Sequence, residues 1–372
     1  MSIETAFVLL SDLHFSNGLD EAARTQTLNI PFSNYGIPAK MTNLFEAMCR
    51  GHFAPCVKKL PRYLKVLLSE LKDEGYQRDK FDLCILLGDQ STLAHERSYK
   101  LLRDYLTQDE YVSEDGDGKY IGYGLGIAAS DILAIPGNHD KLLRSSLNLY
   151  HEEFTRHLRL DEEARPQMCS ISIRRFAGRE FVFILIEPSV YCAEDLKLGS
   201  DFRSHLAAGK ISPKLIEDVE TKLNMLREYG KLDAETKLEK TFNDAMKVLI
   251  VHYAVDERRF PPGRAQGIVP HQCDGLGELV NMLKREYQLS IALHGHLHHP
   301  LLYNFNGVQV ISATTATRVD KGTKTGFFLM KVLDSGTIRA EHHLWTGVAF
   351  TPDPDKNLSR DVGYLPKRAI AA

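Results

Sequence analysis

Five short apolar runs in this chain share a feature that restricts its fold. Each reads as a buried strand, and each is followed at once by residues that carry oxygen or nitrogen lone pairs. Thr5 to Leu10 leads into Asp12-Leu13-His14, and Asp82 to Leu87 into Gly88-Asp89. Asp131 to Ile135 leads into Gly137-Asn138-His139-Asp140. Lys247 to Val251 leads into His252, and Leu289 to Leu293 into His294-Gly295-His296-Leu297-His298-His299. Ligands of open α/β sheets bind in the crevice beyond the carboxyl ends of the strands. A chain patterned this way needs a fold that gathers those ends in one place. Singly, the motifs have ordinary explanations: a strand-end turn for Gly88-Asp89, helix caps for Asn138 and Asp140, a buried structural imidazole for His252. Five in order, each past a strand, ask for a common one.

The intervening segments carry helical spacing. Leu60, Leu64, Leu67, Leu68 and Leu71 form one amphipathic face, and Leu101, Leu102, Tyr105 and Leu106 another. Leu276 to Tyr287 also reads as a helix. Cys169 to Phe176 and Phe181 to Ile186 flank Ala177-Gly178 as a hairpin. The end is β-rich, at Leu301 to Phe305, Val308 to Ile311, Phe327 to Val332 and Ile338 to His343, where His342 and His343 are expected to face opposite ways in structural roles. Strands alternating with helices imply α/β layers. The 372 residues are enough for a large core and show no repeat of the solenoid kind. The organisation expected is one domain over residues 1–350, with insertions at about 16–56 and 194–244, the second helical. An irregular tail over residues 351–372 follows.

Charge and cysteine content narrow the function classes. Forty-six Lys and Arg against 49 Asp and Glu leave a formal charge of -3, so a strong basic field for nucleic acid is missing. Six scattered cysteines without a C-x-x-C pair argue against a disulfide framework or a thiolate zinc site and fit a reducing compartment. No apolar run approaches the ~20 residues that span a bilayer, and the N-terminus lacks the basic region of a signal peptide. The expectation is a cytoplasmic protein without a membrane partner; its oligomeric state is not legible.

Carboxylate, imidazole and amide oxygen together suit Mn²⁺, Fe or Zn²⁺. Two such ions ~3.5–4 Å apart clamp an in-line displacement at phosphorus. The ordered motifs, from Asp12 to His298, resemble those of the calcineurin-like metallophosphoesterase superfamily. The resemblance implies an α/β fold of two packed mixed β-sheets flanked by helices, a four-layer sandwich. It implies a site with two divalent metal ions. Asp12, His14 and His298 would hold the first, Asn138, His252 and His296 the second, and Asp89 would bridge them. His139 would assist the leaving group. The implied activity is a phosphoric ester hydrolase in which a metal-bridging hydroxide attacks the ester.

Some residues depart from subfamily patterns. Gly88-Asp89-Gln90-Ser91-Thr92-Leu93-Ala94 lacks the second Asp and the Arg-Gly of phosphoprotein phosphatases, and Asp140 stands for their Glu. His252-Tyr253-Ala254 differs from the His-His-Pro of bacterial cyclic-nucleotide-type phosphodiesterases. The first departure, at Thr92, leads to a phosphodiester rather than a phosphomonoester, in a small molecule or nucleotide; the second counts against the bacterial cyclic-nucleotide type. The alternatives are a DNA or RNA nuclease and a non-catalytic metal-binding scaffold. Arg258 and Arg259 are candidate contacts for substrate phosphate. His294 or His299 is a candidate for orienting a ligand, and the segment Ser16 to Cys56 for walling the pocket.

Overall fold

The structure, a computed structural model, describes residues 2–15, 54–91, 96–115, 118–141, 149–156, 158, 168–190, 208–232, 242–256, 273–317 and 324–365. Its elements run β1 (Ile3–Leu10), α1 (Ala54–Asp73), β2 (Leu83–Leu87), α2 (Glu96–Thr107), β3 (Glu110–Asp115), β4 (Gly118–Tyr123), β5 (Ile132–Ile135), β6 (Cys169–Phe176), β7 (Arg179–Ile186), β8 (Ser189–Val190), β9 (Gly209–Lys210), α3 (Pro213–Leu232), β10 (Met246–Ile250), β11 (Cys273–Asp274), α4 (Leu276–Tyr287), β12 (Ile291–His294), β13 (Leu301–Phe305), β14 (Val308–Ser312), β15 (Gly326–Leu333), β16 (Thr337–Trp345), β17 (Phe350–Pro352) and β18 (Ser359–Tyr364).

Two mixed sheets carry the fold. The first has the order β17-β16-β15-β1-β2-β5, with β18 on β16, and the second has the order β13-β14-β12-β10-β7-β6. Strands β1, β2 and β5 are mutually parallel, and so are β7, β10, β12 and β14. Strands such as β2 (LCILL) and β10 (MKVLI) are buried on both faces, which explains their unbroken apolar runs. Phe7, Leu9, Ile85 and Leu87 face Phe183, Val248, Ile250 and Leu293 in the layer between the sheets. Val8, Leu10 and Leu86 instead pack with Leu60, Leu64 and Leu71 of α1 and Leu102 of α2. Ile184, Leu249 and Ala292 pack with α3 and α4. The layers are therefore helix, sheet, sheet, helix, as the resemblance implied.

Two expectations change. Residues beyond 351 are not irregular throughout: β15 fills one edge of β16, and β17 and β18 pair with the two ends of its other edge. Leu358, Val362 and Leu365 of this segment enter the layer between the sheets. Within the expected insertion 194–244, α3 buries Leu215, Val219 and Leu223 on the second sheet, so that part is a layer of the frame and not an addition. Most of the 16–56 segment lies outside the described residues.

The Ala177-Gly178 turn has positive φ at both positions (48° and 76°), as a two-residue hairpin that keeps the strand twist requires. His342 and His343 of β16 are both buried. His342 Nδ1 lies 2.8 Å from Asp353 Oδ2, and Tyr63 Oη lies 2.8 Å from His343 Nδ1. The His343 ring stacks on Phe327 with centroids 5.0 Å apart. Burial pushes His342 down to about 4, although Asp353 opposes it, and His343 down to about 3. The unfolded chain therefore takes up these protons first, below its ordinary pKa of ~6.5, and stability falls as pH drops from there through the folded values. We expect denaturant unfolding to show this loss between about pH 6.5 and 3. His343→Phe, which keeps the stacking, should flatten the slope, and an unchanged slope would show that His343 does not titrate in this way.

Candidate metal centre

The carboxyl ends of β1, β2 and β5 in one sheet and of β10 and β12 in the other converge on one place. Backbone bonds stitch their loops together. Asp12 N–H donates to Gly88 O (3.1 Å), His14 N–H to Asp89 O (2.9 Å) and Gly295 N–H to His252 O (3.1 Å). Five residues singled out in the sequence hold left-handed backbone here: Asp12 (φ 49°), His14 (46°), Asp89 (51°), His296 (70°) and His298 (49°). Such conformations cost a non-glycine residue about 1–3 kcal/mol and gather at functional sites.

Two groups of side chains result. Asp12, His14, Asp89 and His298 bring one ligand atom each within 4.8 Å of the others, as do Asp89, His252 and His296. Asp89 belongs to both. In the first group His298 Nε2 lies 3.1 Å from Asp12 Oδ1 and 3.3 Å from His14 Nε2. In the second, His252 Nε2 lies 3.0 Å from Asn138 Oδ1, 3.2 Å from His296 Nδ1 and 3.3 Å from Asp89 Oδ2. His252 Nδ1–H donates to Leu87 O (2.7 Å), which fixes the tautomer and leaves Nε2 to face the other lone pairs.

So many lone-pair atoms in a closed space call for positive charge. Burial would depress the His252 imidazole, yet the Asp89 carboxylate holds it up at about 9. Burial would raise the Asp89 carboxyl, yet His252, His139 and His14 hold it well below the usual carboxylate range. Where a proton is drawn in this strongly, a divalent cation fits as well, and the nitrogen and oxygen donors suit Mn²⁺, Fe or Zn²⁺. Close approach of the loops is part of the device. A Cβ on Gly88 (φ 96°) would sit 2.2 Å from His252 Nδ1, and one on Gly295 would sit 1.9 Å from Ser11 Oγ.

His139 N–H donates to Asp89 Oδ1 (2.9 Å), and its ring meets that of His14 edge-on at 4.8 Å. Asp12, His14, Asp89 and His252 are 0–1% exposed, whereas His139 and His296 are 8% exposed. The site therefore opens past His139, His296 and the half-buried His298.

A model of the calcineurin-like phosphoesterase family matches residues 5–300. The chain belongs to that family. No curated protein matches the sequence. Among solved structures, a dimetal phosphatase from Danio rerio is similar at 11% identity and TM-score 0.48, over 98% of this chain and 100% of its own. GAP50, the anchor in the inner membrane complex of Plasmodium, is similar at 10% identity and TM-score 0.44, over 99% and 91%. Phosphopantetheinyl hydrolase from Mycobacterium tuberculosis follows at 13% identity and TM-score 0.35, over 85% and 92%. These TM-scores, all below 0.5, carry no argument about substrate.

Within this calcineurin-like chain the site gathers all eight of Asp12, His14, Asp89, Asn138, His139, His252, His296 and His298. Arg258, Arg259 and Thr92 lie outside the described residues. His294 is fully buried, donates Nδ1–H to Gly295 O (3.0 Å) and pairs with Tyr303 Oη (3.2 Å), so it steadies the loop ahead of His296.

The sequence reading missed the residues that hold these loops. Asp140, read as a cap and as the stand-in for the Glu of phosphoprotein phosphatases, accepts from the N–H groups of Gln90 (3.1 Å), Ser91 (3.0 Å) and Gly137 (2.9 Å) and from Tyr99 Oη (2.9 Å). It ties the Asp89 loop to the Asn138–His139 loop. Thr315 Oγ1–H donates to Asp12 O and Thr314 Oγ1–H to His298 O, at 2.8 and 3.0 Å. The usable signal was the place of Asp140, immediately after Gly137-Asn138-His139. Asp140→Ala leaves four buried donors unpaired, and each such loss costs about 1–3 kcal/mol. We expect clear destabilisation in denaturant unfolding and a Mn²⁺ affinity about 10- to 100-fold weaker by calorimetry. Unchanged affinity would separate this clamp from the centre.

Proposed function

We propose that this chain is a phosphoesterase that works with two divalent cations, Mn²⁺, Fe or Zn²⁺, and cleaves a phosphodiester in a small molecule or nucleotide. One observation carries the reading: Asp89 stands in both ligand groups, with Asp12, His14 and His298 on one side and His252, His296 and Asn138 on the other. When bound, the cations would supply the positive charge that polarises a phosphoryl group and lowers the pKa of water.

The remaining work belongs to the chain. Asp12, His14 and His298 would hold one cation, and His252, His296 and Asn138 the other. The Leu87 carbonyl keeps His252 in the tautomer that presents Nε2. His139, anchored by its N–H on Asp89 and set at the open side, delivers a proton to the leaving oxygen. The preference for a diester rests on the sequence, where Thr92 stands in place of the second Asp of phosphoprotein phosphatases.

Mn²⁺-loaded protein should hydrolyse bis(p-nitrophenyl) phosphate faster than p-nitrophenyl phosphate. Asp89→Asn should abolish turnover and Mn²⁺ retention together. His139→Gln should keep Mn²⁺ and lower kcat about 10²- to 10⁴-fold. A preference for the monoester would overturn the diester assignment. Full activity of Asp89→Asn would overturn the mechanism.

A further inference from the structure

A cavity of about 230 Å³ lies between β5 and β6, lined by none of the candidate metal ligands. These are the last strands of the two sheet orders, so the cavity occupies the open side of the layer between the sheets. Its β5 wall is apolar, with Ile132, Leu133 and Ile135. Its β6 wall is not. Ser170, Ser172 and Arg174 alternate with Ile171 and Ile173, so the polar residues share one face; all three line the cavity, and Ile171 also borders it. Phe176, next on that face, belongs to the core between the sheets. A strand that turns serine and arginine toward a layer otherwise filled with Phe, Leu and Ile costs stability unless those groups find partners.

Several polar groups that line the cavity have none among the described residues. Arg174 Nε, His151 Nδ1 and Tyr150 Oη are buried without a hydrogen-bond partner there. Tyr150 is 1% and His151 4% exposed, and both line the cavity. Glu187, the acidic group among the described lining residues, is already engaged. Lys141 Nζ lies 2.7 Å from its Oε1, and His151 Nε2 lies 3.1 Å from its Oε2. With Glu187 neutralised by Lys141, the guanidinium of Arg174 is the charge left over among the described lining residues. The space exceeds what one water needs and falls below that of drug-sized pockets.

We propose that this cavity is a second ligand site, which takes a small organic anion. The carboxylate or phosphate monoester group of that anion pairs with Arg174, and its apolar body lies against β5. None of the candidate metal ligands lines the cavity. It adjoins the centre's third loop in sequence, through Ile135 and Pro136.

The test is calorimetric titration of Mn²⁺-loaded protein with butyrate, benzoate, phenyl phosphate and inorganic phosphate. Saturable binding of one equivalent of butyrate or benzoate would assign a carboxylate, and of phenyl phosphate a phosphate monoester. Arg174→Gln should weaken that binding about 10- to 100-fold, the range of one charge-assisted hydrogen bond. Ser172→Leu, which fills the space without touching the charge, should weaken it too and serves if Arg174→Gln does not fold. Asp89→Asn should leave it unchanged. The proposal is overturned if no probe binds at millimolar concentration. It is also overturned if binding survives both cavity substitutions, or if it is lost in Asp89→Asn alone, which would place the anion at the metal centre.

Discussion

The Asp89 carboxylate, 1% exposed, sits where two sheets meet, with His14 and His252 on either side and the His139 N–H bonded to one of its oxygens. A buried carboxylate so surrounded cannot be moved without disturbing both sheets. Its loop follows β2 in the first sheet, while His252 follows β10 in the second and reaches across to the Leu87 carbonyl. The same bond aligns the sheets and sets the tautomer of a candidate ligand. Positive φ at five of the eight candidate residues shows the cost of the arrangement. The strain persists because Asp140 and the Thr314–Thr315 hydroxyls hold the loops from behind.

This division of labour explains what was readable in the sequence. The strands before the site are buried on both faces, so they appear as unbroken apolar runs, and the residues after them stand out. The 3.6-residue spacing of Leu60, Leu64, Leu67 and Leu71 marks α1 for the same reason: a stripe of side chains must reach the sheet. The residues that clamp the loops carry no such pattern. Asp140 gains its role from Tyr99 and from backbone groups some fifty residues away in sequence, and Thr315 from a bridge to Ser11 across most of the chain. Long-range pairing also hid the last strand. In β18 only Val362 is buried while Ser359, Arg360 and Asp361 face solvent, so Ser359–Tyr364 reads as loop until β16 pairs with it.

The family assignment and the geometry lead to the same chemistry at different resolution. Family membership gives a phosphoesterase fold and a class of reaction. The geometry of this chain gives the placement of eight named side chains and the side from which a substrate would reach them, past His139 and His296. The polar face of β6 lies outside that scheme. It shows that the layer between the sheets, uniformly apolar near Phe7 and Phe183, changes character at its open edge, where Arg174 Nε is buried without a hydrogen-bond partner among the described residues.

The central claim is that one carboxylate serves two cation positions. Anomalous diffraction from crystals grown with Mn²⁺ tests it most directly. The geometry leads us to expect two peaks, one beside Asp12, His14 and His298 and one beside Asn138, His252 and His296, with Asp89 between them. A single peak, or none at either side of Asp89, would contradict it.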